Sequence, residues 1–254
     1  MGINVLICSF IFILGICIGS FLNVCICRIP DGESIVNTPS HCINCGGRIK
    51  AYDLIPALSW LILSGKCRAC GVRISAKYPL VELLTGIGFV FICLNTGGYA
   101  EFGFTAALFS ALVVVFFIDL EHRIIPDGVN IFLLIMGILY NIMFFDVAMA
   151  VSAAIGFFAA SVPMMLLGMM FKDGMGGGDI KLMAVCGLFL GWDRVLLAMF
   201  MGAFAALAVY MAAAPFRKSK DRTVTFGPYL AVGIMAAMLY GREIIDGYLG
   251  LFGV

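Results

Sequence analysis

Apolar residues fall along the chain in eight runs, at about 3–27, 78–96, 102–120, 129–145, 147–171, 180–192, 195–214 and 225–241. A helix needs about 20 apolar residues to cross the hydrocarbon core of a bilayer, and most of these runs come near that length. The pattern predicts an all-α polytopic membrane protein with about eight transmembrane helices. Only one connection is long and polar, residues 28–77. The chain therefore divides into a first transmembrane helix (1–27), a loop (28–77) and a membrane domain carrying the other helices (78–254). The first run has no basic segment ahead of it and no small-residue cleavage site, so it reads as a retained helix rather than a signal peptide.

The run at 180–192 is short for a span. Lys and Arg decide its status, because they concentrate in cytoplasmic loops. Arg28, Arg48, Lys50, Lys66, Arg68, Arg73 and Lys77 lie in the long loop. With 180–192 and 195–214 counted as separate spans, Arg123, Lys172, Lys181, Arg217, Lys218, Lys220 and Arg222 fall on the same face. That is fourteen of the sixteen basic residues; only Arg194 and Arg242 fall opposite. The expected topology has the N terminus outside and the long loop in the cytoplasm.

Composition agrees with the pattern. The chain is 63% hydrophobic and 12% charged, with mean hydropathy +1.09, whereas a soluble domain is about half apolar and about a quarter charged. Lipid is the expected surrounding medium. A net charge of +1 supplies no field for nucleic acid, which is excluded as a partner.

Ten cysteines divide into two sets. Cys8, Cys17, Cys25, Cys27, Cys93 and Cys186 lie in apolar runs and read as small buried hydrophobes. Cys42-Ile-Asn-Cys45 and Cys67-Arg-Ala-Cys70 are two CxxC pairs separated by 21 residues, each followed by a glycine, Gly46 and Gly71. Four thiolates at such spacing suit a closed tetrahedral zinc site, which would staple a loop too small for a large core. Free or redox-active thiols and an iron–sulfur centre are the other readings. His41, beside the first pair, reads as a solvated loop residue.

Two aspartates stand where apolar runs meet polar sequence. Asp119 follows the run 111–118, and Gly176-Gly177-Gly178-Asp179 precedes another. An ionisable residue at membrane depth is costly and marks function. The bland readings are a helix end in an interfacial turn for Asp119, with Pro126 stopping the helix, and an N-cap for Asp179. Glu121, His122 and Asp127 read as interfacial. The topology sets Asp119 and Asp179 at the same, cytoplasmic, helix ends. Two close carboxylates share one proton, so one can take a proton from water while the other donates to a scissile carbonyl. Gly176, Gly177 and Gly178 would let a peptide approach the acid and would tolerate positive φ.

Further segments carry a resemblance. Gly19-Ser20-Phe21-Leu22-Asn23-Val24, the double CxxC, Tyr52-Asp53-Leu54-Ile55-Pro56 with Leu58-Ser59-Trp60, and Tyr78-Pro79-Leu80-Val81-Glu82-Leu83 come first. Ile118-Asp119, Gly176 to Lys181, and Phe226-Gly227-Pro228-Tyr229-Leu230 follow. In this order, over roughly residues 15–235, the chain resembles the bacterial type IV prepilin peptidases, GxGD-type leader peptidases that also methylate their product. The resemblance implies catalysis by Asp119 and Asp179. It implies prepilin and pseudopilin substrates, cut after glycine on the cytoplasmic side of the bacterial plasma membrane. It also implies N-methylation of the new terminus from S-adenosylmethionine, attributed to the part containing the cysteine loop, and Gly65 matches a glycine linked to that activity. Ile43 and Thr225 stand where the family often has proline, and the loop has no glycine-rich nucleotide fingerprint. Two other functions fit the spans: a transporter or channel with a zinc-stabilised loop, using the aspartates as an ion site, and a non-catalytic assembly scaffold. The first would show inverted hydropathy repeats, and none is evident.

Overall fold

The computed structural model describes residues 5–170, 175–213 and 225–251. Lys172, Arg217, Lys218, Lys220 and Arg222, which the topology count used, lie outside the described residues. Among those described, the structure is helical, with two isolated bridges, His41 with Arg48 and Lys66 with Arg73. Helices run in the order α1 (Val5–Arg28), a 3₁₀ turn (Ala51–Leu54), α2 (Leu58–Ile62), α3 (Lys77–Asn95), α4 (Tyr99–His122) and α5 (Asp127–Met143), followed by α6 (Val147–Ala159), α7 (Ser161–Met170), α8 (Gly177–Ala213) and α9 (Gly227–Gly250). Among the described residues, five stretches are long and apolar enough to cross a membrane: α1, α3, α4, α6 with α7, and α8. Side chains such as Phe10, Ile13, Ile142, Phe200 and Phe204 are exposed on these helices. Apolar surface on that scale is stable in lipid rather than in water. The protein is a multi-pass membrane protein.

The chain forms two compact units, 1–114 and 115–254. In the first, α1 lies along α3 with small residues at the crossing. A Cβ on Gly15 would stand 2.7 Å from the Gly86 Cα, and one on Gly19 would stand 2.7 Å from the Glu82 Cα. Small residues let two backbones approach where lipid gives no hydrophobic drive. Phe89 meets Phe102 edge-on at 5.9 Å, and with Ile11 and Ala106 they form the core of this unit.

In the second unit α6 and α8 make the same kind of contact, Gly156 against Gly187. α8 is two helices that meet at a kink. Gly191 has φ +78° and ψ 176°, a conformation closed to residues with a Cβ, and it parts 177–190 from 192–213. Two helices therefore stand where separate runs at 180–192 and 195–214 were expected, joined by a single non-helical residue. The single run at 147–171, by contrast, is interrupted at Ala160, between α6 and α7. Pro163 explains this, because it has no N–H for the carbonyl of residue 159 and its ring crowds that carbonyl. α9 continues to Gly250, past the end of its apolar run, carrying Arg242, Glu243 and Asp246. Of the six cysteines read as buried, Cys25 and Cys186 are; Cys8, Cys27 and Cys93 are half-buried and Cys17 is exposed. On a lipid-facing helix a thiol is apolar enough to sit outside the core.

Candidate active site and metal centre

Asp119 lies in the last turn of α4. Arg123 follows with φ +59°, its N–H bonding the Asp119 carbonyl at 3.0 Å, and this left-handed residue ends the helix. Pro126 then opens α5 as its N-cap, with φ −64°. The Asp119 side chain is 6% exposed, and its Oδ2 accepts the Gly227 N–H at 3.0 Å. Gly227 is the first residue of α9, with Pro228 next. The opening N–H groups of a helix have no partner within it and carry partial positive charge, so α9 presents an anion site to the carboxylate.

No side chain fits at position 227. A Cβ there would stand 2.8 Å from Oδ2 and 3.0 Å from Cγ of Asp119. Gly227→Ala should therefore push the carboxylate aside. A misplacement of about 1 Å costs about 10²-fold in rate, and that loss in kcat is expected with helical content unchanged. A rate within threefold of the unaltered protein would show that the contact does not position the acid.

Asp179 lies in the first turn of α8, where the helix dipole favours an acid; it is not the N-cap. It is half-buried, and its Oδ1 is shielded from solvent with no partner among the described residues. A backbone group of Gly176 bonds its carboxyl, and the charge of Asp119 reaches it. Both aspartates lie in the second unit, where Gly178, just before Asp179, packs against Ile125, just past the helix end that carries Asp119. The glycines before Asp179 do not use positive φ. They are needed for space: a Cβ on Gly178 would stand 2.9 Å from the Ile125 Cβ, and one on Gly176 would stand 2.9 Å from the Asp179 Oδ2. Gly177 has open space around it. Asp127 pairs with Lys181 at 2.7 Å, both exposed. Such a pair contributes little stability but marks the register of α5 against α8.

The other predicted cluster lies in the first unit. Each CxxC forms the same turn: Gly46 N–H bonds Cys42 C=O at 2.8 Å, Gly71 N–H bonds Cys67 C=O at 2.9 Å, and both glycines have positive φ. The sulfurs of Cys42, Cys45, Cys67 and Cys70 lie within 4.8 Å of one another, and Cys42 Sγ stands 3.8 Å from Cys70 Sγ. Zinc–sulfur bonds of about 2.3 Å in a tetrahedron put the sulfurs about 3.8 Å apart, so the donor set fits such an ion. A bond from the Val72 backbone, helped by Asn44, brings the Cys70 thiol down to about 6. The Gly47 backbone pulls Cys45 the same way, but the neighbouring Cys42 and Cys70 sulfurs push it up to about 11. Sulfurs this close repel one another as thiolates unless a cation sits among them.

Around the cluster the loop is built from the segments that carry the family resemblance. Arg68 holds both oxygens of Asp53, at 2.7 to 3.1 Å, and keeps that carboxyl below its usual range. The Ser59 hydroxyl donates to Tyr52 C=O at 2.9 Å, and Trp60 Nε1 donates to Ile74 C=O at 3.1 Å. Gly65, with φ +65°, lies against that indole; a Cβ would stand 2.9 Å from Trp60 Cζ2.

Two residues in the resemblance segments gain roles that sequence reasoning missed. Glu82 is 7% exposed within α3; its Oε2 accepts the N–H of Ala57, at 2.7 Å, and Ser20 also bonds it. Ala57 has φ +56° and opens α2, so Glu82 holds a strained turn of the loop onto α3. The signal was present: an acid inside an apolar run, as for Asp119. Gly227 carried a different one, Gly-Pro at the start of an apolar run, which marks a helix N-terminus.

Two aspartates at helix ends of a many-helix membrane protein are what a membrane-embedded aspartic peptidase requires. Residues 13–96 match the bacterial peptidase A24 N-terminal domain, and residues 106–211 match the type IV leader peptidase family. The chain belongs to the type IV leader peptidase family. It is 35% identical to a prepilin leader peptidase/N-methyltransferase of Aeromonas hydrophila, over 99% of this chain and 97% of the relative. It is 36% identical to one of Bacillus subtilis (strain 168), over 95% and 97%. A third, from Myxococcus xanthus (strain DK1622), is 42% identical over 74% of this chain and 57% of its own length. No solved structure matches significantly. These matches lend nothing to the transporter or channel reading.

Proposed function

We propose that the protein removes the leader peptides of type IV prepilins and pseudopilins, cutting after glycine at the cytoplasmic face of the bacterial plasma membrane, and then methylates the new N-terminal amine. Asp119 and Asp179 act as a pair holding one proton. The ionised member takes a proton from water, which attacks the scissile carbonyl, and the protonated member donates to the carbonyl oxygen. The α9 N–H occupies one oxygen of Asp119 and fixes its direction, leaving the other for water or peptide. The observation that best supports this reading is the meeting of the helix ends that carry buried Asp119 and half-buried Asp179, with glycine at 176, 178 and 227 where side chains would intrude.

Cys42, Cys45, Cys67 and Cys70 would hold a zinc ion. Four protein ligands leave no open coordination position, so the ion is structural. S-adenosylmethionine supplies the methyl group. The space above Gly65 is filled by the protein's own Trp60, so Gly65 serves methyl transfer through that packed turn rather than by touching a nucleoside. The orientation, N terminus outside and loop in the cytoplasm, is supported by the count of basic residues. The partition into residues 1–27, 28–77 and a peptidase domain at 78–254 is proposed on the same grounds.

The test is to incubate the purified protein with a prepilin, with and without S-adenosylmethionine, and weigh the product. Loss of the leader in both, and a further methyl mass only with the donor, is expected. An intact prepilin would sink the peptidase reading; an unmethylated product would sink the second activity alone.

A further inference from the structure

Asn130, in the first turn of α5, is 5% exposed. Both its Nδ2 and its Oδ1 are shut off from solvent, and neither has a partner among the described residues. Buried donors and acceptors are almost always paired, because each pays its lost hydration otherwise. Asn141, further along the same helix, shows the ordinary solution, donating to Gly137 C=O and Leu188 C=O at 2.8 Å each.

The position of Asn130 gives its empty amide a meaning. α5 and the first half of α8 run side by side, with Ile125 at Gly178, Asp127 at Lys181 and Gly137 at Leu188. That register sets Asn130 level with Leu182 and Met183, about one helical turn (~5 Å) deeper than Asp179. Asp179 Oδ1 is likewise buried and without a partner among the described residues. Along the helix axes Asn130 and Asp179 are thus about one turn apart, and both carry buried polar atoms without a partner among the described residues.

A peptide that reaches these acids brings its own unpaired groups. Every backbone N–H and C=O that leaves water for the bundle needs a partner. A carboxamide offers one donor and one acceptor side by side, matching the N–H and C=O along one edge of an extended peptide. We propose that Asn130 binds the substrate main chain next to the scissile bond, Nδ2 donating to a peptide carbonyl and Oδ1 accepting a peptide N–H. This rests on the proposed peptidase function.

Full-length protein would be assayed on prepilin peptides in which each amide near the cleavage site is replaced in turn by an ester, which removes the N–H. In the unaltered protein one ester position should lower kcat/KM about 10-fold, the effect of one lost hydrogen bond. Asn130→Leu, similar in size and without polar atoms, should lower kcat/KM of the all-amide peptide at least about 10-fold, mainly through KM, with Tm unchanged or higher. In that variant the same ester should cost nothing further. A merely structural asparagine would not abolish the penalty at one position of the substrate. Equal kcat/KM for Asn130→Leu and the unaltered protein, or an ester penalty that survives the substitution, overturns the inference. Should Asn130→Leu not fold, Asn130→Ser on the same series reads the same coupling, and an unaltered protein with no sensitive ester position also overturns it. Failure of the unaltered protein to cut the all-amide peptide defeats the peptidase reading itself, before any variant is compared.

Discussion

Asp119→Asn and Asp179→Asn should each abolish prepilin cleavage, lowering kcat at least ~10³-fold, while the protein still folds and binds substrate. The magnitude follows from the pair acting as one acid–base device: general acid and general base catalysis each contribute about 10² to 10⁴-fold. Asparagine is nearly isosteric. Its side-chain carbonyl can still accept the α9 N–H that bonds Asp119 at 3.0 Å, so the loss would be one of proton transfer rather than of position. Groups that act as a unit are non-additive, and the double variant should be no slower than either single one. Single-turnover cleavage of a purified prepilin, with circular dichroism for folding, measures this. Substantial residual activity in either variant would exclude the dyad. Gly227→Ala provides the contrast, because it leaves both acids in place and moves one of them.

The spans were legible because a helix in lipid must be apolar over its full length, and runs such as 78–96 and 102–120 appear in the structure as α3 and α4 with ends shifted by a few residues. The break at Gly191 was legible for a different reason: the basic residues require a turn between 180–192 and 195–214, although hydropathy alone would merge them. Pro163 is an equally visible breaker inside 147–171. α9 overran its apolar run because helical hydrogen bonding does not stop where hydrophobicity does.

At the site, the two aspartates and four cysteines carried their own signals, one a charge where charge is costly and the other a spacing. Their partners did not. The Gly227 N–H meets Asp119 across 108 residues of sequence, and Glu82 meets Ala57 across 25. Nothing local to either residue encodes that meeting. The glycines of 176–178 were read for peptide approach and positive φ, and two of them, Gly176 and Gly178, prove to matter for room, against Asp179 and Ile125. Sequence shows that a side chain is absent, and only packing shows what takes its place.

Cys42→Ser should remove the metal and unravel the loop. Binding free energy at a structural zinc site is folding free energy, about 10 to 16 kcal/mol in small zinc modules. The loop's other ties are Arg28 bonding the carbonyls of Ser34, Thr38 and Pro39, the Asp53–Arg68 pair, the Ser59–Tyr52 and Trp60–Ile74 bonds, and Glu82 holding Ala57. Each such bond contributes about 0.5 to 3 kcal/mol, well below the metal. Elemental analysis should find zinc in the unaltered protein and none in the variant, and limited proteolysis should cut the variant within 28–77 while the membrane helices stay intact. A strong chelator applied to the unaltered protein should reproduce the same cleavage pattern. Serine at position 45, 67 or 70 should behave alike, since a three-sulfur site loses the closed tetrahedron. Unchanged metal content in Cys42→Ser would refute the four-thiolate site, and full protection from protease after metal loss would show that the loop's own hydrogen bonds suffice to hold it.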